Sequence, residues 1–206
     1  MQSRTFGANT FVLPTPQGPL LVDSGLPGTR ERVLQMAREE GVRALVLTHH
    51  HPDHAGGARL LWEALALPIY AHPLDIPYLS GECPRPPLGI PLLGRWVKFN
   101  APLVPRAALQ AVNEGEDVLG WEVVHLPGHT RGQIGLRSGD VLIAADALGV
   151  RRGRPALSPS FFNEDLAQAK RSVRKVARIG AREIYVGHGG VTNAEAVSEL
   201  ADRLGV

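Results

Sequence analysis

The chain has 206 residues, 44% hydrophobic and 20% charged, which argues against disorder and leaves enough length to bury a core. Its net charge of +2, from 22 Lys+Arg against 20 Asp+Glu, gives no case for nucleic acid on composition alone. No apolar run approaches the roughly 20 residues of a membrane span, residues 1–5 lack the apolar stretch of a signal peptide, and the single cysteine, Cys83, excludes an intrachain disulfide, so a reducing cytoplasm is the expected location.

Residues 10–13 and 20–23 read as two short strands around a Pro/Gly turn. Residues 29–40 read as a helix with Val33, Leu34, Met36 and Ala37 on its apolar face and Gly41 as its stop. A strand at 43–47, a helix at 55–67 ended by Pro68, and a strand at 68–71 follow. Residues 71–111 carry Pro73, Pro77, Pro84, Pro86, Pro87, Pro91, Pro102 and Pro105, which helices and central strands tolerate poorly. They are expected to form a surface excursion with short ordered pieces. Strands are predicted at 121–126, 133–136 and 140–145. Asn163 is expected to cap a helix running to Ile179, with Leu166, Ala169, Val173, Val176 and Ala177 facing inward. A strand at 182–186 precedes a last helix to about Leu204, opened by a capping box of Thr192 and Glu195. There is no tandem repeat and no obvious linker, so residues 1–206 read as a single domain. The mixed order of elements predicts layered sheets covered by helices on their outer faces.

The histidines carry the chemical signal. His49, His51, Asp53 and His54 are four metal-capable side chains within Thr48-His49-His50-His51-Pro52-Asp53-His54. The segment follows a strand and contains Pro52, so it reads as a loop. In extended backbone, side chains two apart point the same way, so His49 and His51 can reach one cation while His50 points away. Asp53 and His54, beyond the turn at Pro52, reach a second point nearby. Gly56 and Gly57 allow close backbone packing behind the loop. Three further features follow predicted strands: His129 in Leu126-Pro127-Gly128-His129-Thr130, Asp146 after Ala144-Ala145, and His188 between Gly187 and Gly189. Each alone is a weak signal. Imidazole suits zinc, iron, copper and nickel, and a carboxylate broadens the range.

With these motifs in this order, the sequence resembles the metallo-β-lactamase fold superfamily, in its glyoxalase II-like branch. The likeness runs from Asn9 to about Gly190: Asp23-Ser24-Gly25, then His49-x-His51-x-Asp53-His54, then His129, Asp146 and His188. It implies an α/β four-layer αββα sandwich. It implies that His49, His51 and His129 hold one divalent metal ion and Asp53, His54 and His188 another. Asp146 and a hydroxide would bridge the two. Zinc is the expected metal, with iron or manganese as alternatives. Asp53 is the implied catalytic group, aiming the hydroxide. Asp23 is implied to steady the ligand loop from behind, a purely structural turn being its other reading.

The implied activity is hydrolysis of a small ester, thioester or lactone. Only 18 residues follow His188, enough for one helix but not for the helical region with which the glyoxalase II-type thioesterases bind glutathione. No Tyr stands beside Asp146, unlike the quorum-signal lactonases. Two alternatives remain open. One is a persulfide dioxygenase using a single iron on His49, His129 and Asp146. The other is nucleic-acid processing along the basic face of Lys170, Arg171, Arg174, Lys175 and Arg178, for which a solvated helix face is the plainer reading. Arg151, Arg152 and Arg154 could hold an anionic substrate group or serve solubility alone. Tyr78, Leu92, Leu93, Trp96 and Phe99 could wall a substrate pocket, and ordinary packing or a dimer contact would also explain them. His72, His125 and Cys83 read as having no part in the chemistry. A small-molecule substrate is the expected partner, with no membrane, nucleic acid disfavoured and a homodimer open.

Overall fold

The computed structural model describes residues 1–86 and 102–206. The described residues divide into two compact units, the first made of residues 1–86 with 102–112 and the second of Asn113–Val206.

In the first unit six strands form one sheet in sequence order. β2 (Ala8–Leu13) pairs antiparallel with β1 (Gln2–Phe6) on one side and β3 (Leu20–Val22) on the other. β3, β4 (Ala44–Val46), β5 (Ile69–Ala71) and β6 (Leu109–Ala111) run parallel. Parallel neighbours need crossovers. The crossovers carry α1 (Arg30–Glu39), α2 (Pro52–Ala55) with α3 (Ala58–Leu65), and α4 (Ile76–Ser80). The register aligns Leu21, Leu45, Ile69 and Leu109 across four strands, and all four are buried. Val33, Met36 and Ala37 of α1, Ala58 and Leu61 of α3, and Ile76 and Leu79 of α4 join the same cluster. Burial contributes about 1.5–3 kcal/mol for each large side chain in this cluster. The ends of the proline-rich stretch belong to it too, because Ile76, Leu79, Val104, Ala108 and Leu109 are core residues rather than surface ones. Leu92, Leu93, Trp96 and Phe99 lie outside the described residues.

The second unit is built on a sheet with the order β14-β13-β10-β9-β8-β7. The strands are β7 (Asp117–Val118), β8 (Trp121–His125), β9 (Ile134–Ser138), β10 (Val141–Ala145), β13 (Glu183–Val186) and β14 (Val191–Thr192). β11 (Gly149–Arg151) and β12 (Arg154–Ala156) make a separate hairpin. β10 and β13 are parallel, the other pairs antiparallel, so β8, β10 and β13 all point the same way. α5 (Leu166–Ile179) buries Ala169, Val173 and Val176, and α6 (Ala194–Arg203) buries Val197, Leu200 and Ala201. Val173, Val176, Val197, Leu200 and Ala201 meet Leu142, Ala144, Ile184 and Val186 in one core.

Three local expectations change. Asp165, not Asn163, caps α5: its side chain accepts from the amide of Gln168. Asn163 instead donates to the carbonyls of Ser158 and Pro159, and Leu166, at the first turn, faces solvent at 39% exposure. Asn193, not Thr192, caps α6, because Thr192 is still paired with Ile184 in the sheet. The segment after His51 is not a loop throughout. Pro52 occupies the first position of α2, where its missing N–H costs nothing and its fixed φ suits a helix. Among the described residues no helix is long and apolar enough to cross a membrane.

Candidate metal centre

In the first unit the carboxyl ends of three adjacent parallel strands deliver the chemistry, as α/β sheets generally do. Asp23 follows β3, His49 to His54 follow β4, and Asp75 follows β5. The rings of His49 and His51 lie 4.7 Å apart and those of His49 and His54 4.0 Å apart. His49 and His51 come together as expected, but not by simple alternation: the chain bends at Thr48 and His50, and the His50 ring lies 5.1 Å from that of His51 instead of pointing away. The single helical turn of α2 brings His54 back beside them, with Asp53 Oδ2 3.7 Å from His54 Nε2. His54 is buried, whereas the Asp53 side chain is 28% exposed and so presents its carboxylate toward solvent.

Asp23 is the organising residue of this group. Its Oδ2 lies 2.7 Å from His54 Nδ1. Its Oδ1 accepts from the amide of Thr48 at 2.8 Å, and Oδ2 accepts from the Thr48 hydroxyl at 2.8 Å. Thr48 Oγ1 is in turn 3.1 Å from His49 Nδ1. A carboxylate beside Nδ1 demands a proton there, which leaves Nε2 of His54 as the lone-pair donor. The Thr48 hydroxyl spends its proton on Asp23, so it accepts from His49 Nδ1–H, and His49 likewise offers Nε2. One buried carboxylate thus sets the tautomer of two imidazoles. The turn behind it is stitched shut: the amide and hydroxyl of Ser24 both donate to the His54 carbonyl, and the Gly56 amide donates to Gly25. A Cβ at Gly56 would lie 2.3 Å from the Pro27 nitrogen, so the expected close packing is real.

In the second unit β8, β10 and β13 present His129, Asp146 and His188 at one end of the sheet. Asp146 Oδ2 lies 3.4 Å from His129 Nε2 and 3.4 Å from His188 Nε2. Each residue is aimed by local backbone. The pairing of β10 with β13 slips between Ile143 and Ala145, a bulge that turns the strand just before Asp146. Ala145 itself takes a left-handed φ of 48°. Gly128 (φ 130°) lets the His129 turn press on the start of α5, where a Cβ would lie 2.2 Å from the Ala169 nitrogen. The carbonyls of Gly128 and His129 accept from the amides of Asp165 and Glu164. Gly189 (φ 107°) lets the chain pass close to Val150 of β11, whose amide donates to the His188 carbonyl. The His129 and Asp146 side chains are buried and the His188 side chain is 48% exposed, so this group opens to solvent on the His188 side.

In each unit the donors, His49, His51, Asp53 and His54 in the first and His129, Asp146 and His188 in the second, are imidazoles and carboxylates, a chemistry that fits borderline divalent cations. Thr48 was not foreseen from the sequence; a hydroxyl directly before the first histidine was its only signal. A family model described as the metallo-beta-lactamase superfamily matches residues 4–188. The chain belongs to this superfamily. A probable metallo-hydrolase of Bacillus subtilis, YflN, is 30% identical over 96% of this chain and 88% of its own length. A hydroxyacylglutathione hydrolase of Methylobacillus flagellatus is 26% identical over 82% of this chain, which spans 57% of that enzyme. Among solved structures, TTHA1623 in a di-iron-bound form aligns with a TM-score of 0.76 at 26% identity, covering 97% of this chain and 98% of that one. The α/β arrangement of two sheets and their helices is accordingly the metallo-β-lactamase fold.

The other candidates are accounted for within each unit. On α5, Lys175 binds Glu114 and the His125 carbonyl, Arg174 binds Asp202, Arg171 binds Gln168, and Lys170 reaches the Leu204 carbonyl. His125 Nε2 lies 2.9 Å from the Arg131 carbonyl, His72 Nδ1 accepts from the Leu74 amide, and Cys83 is free and exposed. Arg151 and Arg154 face each other directly across the β11–β12 hairpin, and all three hairpin arginines are exposed.

Proposed function

We propose that the chain is a dinuclear metal-dependent hydrolase that delivers a metal-bridging hydroxide to a small ester, thioester or lactone. In this reading His49, His51 and His129 hold one cation, Asp53, His54 and His188 the other, and Asp146 serves both. The observation that carries it is the single Asp146 oxygen at 3.4 Å from each of two imidazole nitrogens, the disposition a bridging carboxylate needs. When bound, a cation pair lowers the pKa of water from about 15.7 toward neutrality and polarises a carbonyl.

The chain's own groups supply the rest. Asp53, half-buried beside buried His54, accepts a hydrogen bond from the nucleophile and aims it. Asp23 keeps His54 and, through Thr48, His49 in the tautomers that offer Nε2. The hairpin arginines receive an anionic group on the substrate, since like charges opposite one another in a hairpin are otherwise unfavourable. Zinc is the proposed metal, and the di-iron form of TTHA1623 makes iron the occupant to test beside it. The experiment is a panel of esters, thioesters and lactones on zinc-loaded protein, with Asp53→Ala as control. Turnover lost in the variant supports the reading. Inertness across the panel, or oxygen uptake with a persulfide by the iron-loaded protein, would replace it.

A further inference from the structure

His50 stands between the two imidazoles proposed to share a cation, and it is itself buried. Its Nδ1 is 3.1 Å from Asp75 Oδ2, and its amide donates to the same oxygen at 2.9 Å. Asp75 is 1% exposed. It sits at the N-cap of α4 yet makes no side-chain cap bond, so the carboxylate that would stabilise its own helix is turned toward His50 instead. Three residues on, Tyr78 lays its ring 4.7 Å from that of His50, tilted 35°. Two side chains at i, i+3 on one short helix therefore hold one imidazole.

The geometry has a consequence for the neighbours of His50. The chain bends at His50, and its ring lies 5.1 Å from that of His51, edge to face, so the placement of His50 bears directly on both neighbours. Asp75 fixes the amide of His50 by a hydrogen bond, and close contacts with Asp75, Tyr78 and His51 confine its ring, which restricts the peptide rotations that would swing His49 and His51 apart. A buried Asp–His pair is costly to desolvate, which is a poor way to gain stability and a good way to fix one conformation. We infer that Asp75 is a positioning residue: by locking His50, with Tyr78 behind it, it sets the aim of His49 and His51 toward their cation. This rests on the metal assignment proposed above.

The test titrates metal-free protein with cobalt(II), read by its absorption spectrum, and with zinc against a chelator. Asp75→Ala should weaken the cation on His49 and His51 by about 10–100-fold, as loss of outer partners commonly does. The cation on Asp53 and His54 should change little. Asp75→Asn, whose amide oxygen still accepts from His50, should recover most of the affinity, and Tyr78→Leu should cause a smaller loss. In an Asp75→Ala, His50→Ala pair the second change should add nothing. Equal weakening of both cations, in step with lost thermal stability, would make Asp75 merely structural and overturn the inference. So would wild-type affinity in folded Asp75→Ala. Should the wild type bind no cation, the metal assignment falls instead. The positioning role then stands on whether Asp75→Asn and Asp75→Ala move the ring resonances of His49 and His51 in the metal-free protein, and falls if they do not.

Discussion

Asp23 Oδ2 lies 2.7 Å from His54 Nδ1, and the same carboxylate reaches His49 through the Thr48 hydroxyl. The two branches can be cut separately. Thr48→Val keeps the β-branched shape and the amide that donates to Asp23 but removes the hydroxyl. It should weaken the cation on His49 by about tenfold while sparing the one on His54. Asp23→Ala strips the acceptor from three buried donors at once. It should lower unfolding free energy by at least about 3 kcal/mol and weaken both cations. Urea unfolding and chelator competition on the two variants separate these effects.

The backbone before Asp146 gives a prediction of opposite sign for adjacent alanines. Ala145 is left-handed at φ 48°, a conformation costing a side chain roughly 1–2 kcal/mol that glycine avoids. Against glycine's entropic cost of about 0.5–1 kcal/mol, Ala145→Gly should stabilise by about 0.5–1 kcal/mol. Ala144→Gly has no such strain to relieve and should destabilise by about 0.5–1 kcal/mol. Calorimetric melting of both, with shifts of about 2–4 °C per kcal/mol, checks the pair.

Gly189 is required by space as well as by φ. A Cβ there would lie 2.0 Å from the Val150 carbonyl oxygen, which is backbone and cannot rotate away. Gly189→Ala should cost about 1–3 kcal/mol or more and displace His188. Thermal melting measures the first effect, and loss of the cation assigned to His188 the second.

The hairpin arginines predict a salt-dependent preference. Replacing Arg151, Arg152 and Arg154 by Gln should raise KM for an anionic thioester by about tenfold. A neutral ester should be turned over as before. The wild type should lose its preference as ionic strength rises.

Much of this was legible because the proposed ligands sit where strands end. The apolar triplets Leu20–Val22 and Ala44–Val46 mark buried parallel strands, and the next polar residues, Asp23 and Thr48 to His54, had to emerge at their carboxyl ends. The same logic placed His129, Asp146 and His188. The short-range competitions were harder to read. Asn163 and Asp165 both suit an N-cap, and only the packing of the His129 turn on α5 selects Asp165. Pro52 suggests a loop and a first helical turn equally well. The link from His50 to Asp75 spans 25 residues and leaves no local periodicity to detect.

The most direct test of the central claim is the metal content of purified protein, by elemental analysis and anomalous diffraction, for the wild type and for Asp146→Ala. The account predicts about two cations per chain about 3.5–4 Å apart in the wild type, and the pair lost in the variant. A single cation, or two retained in full without Asp146, would contradict it.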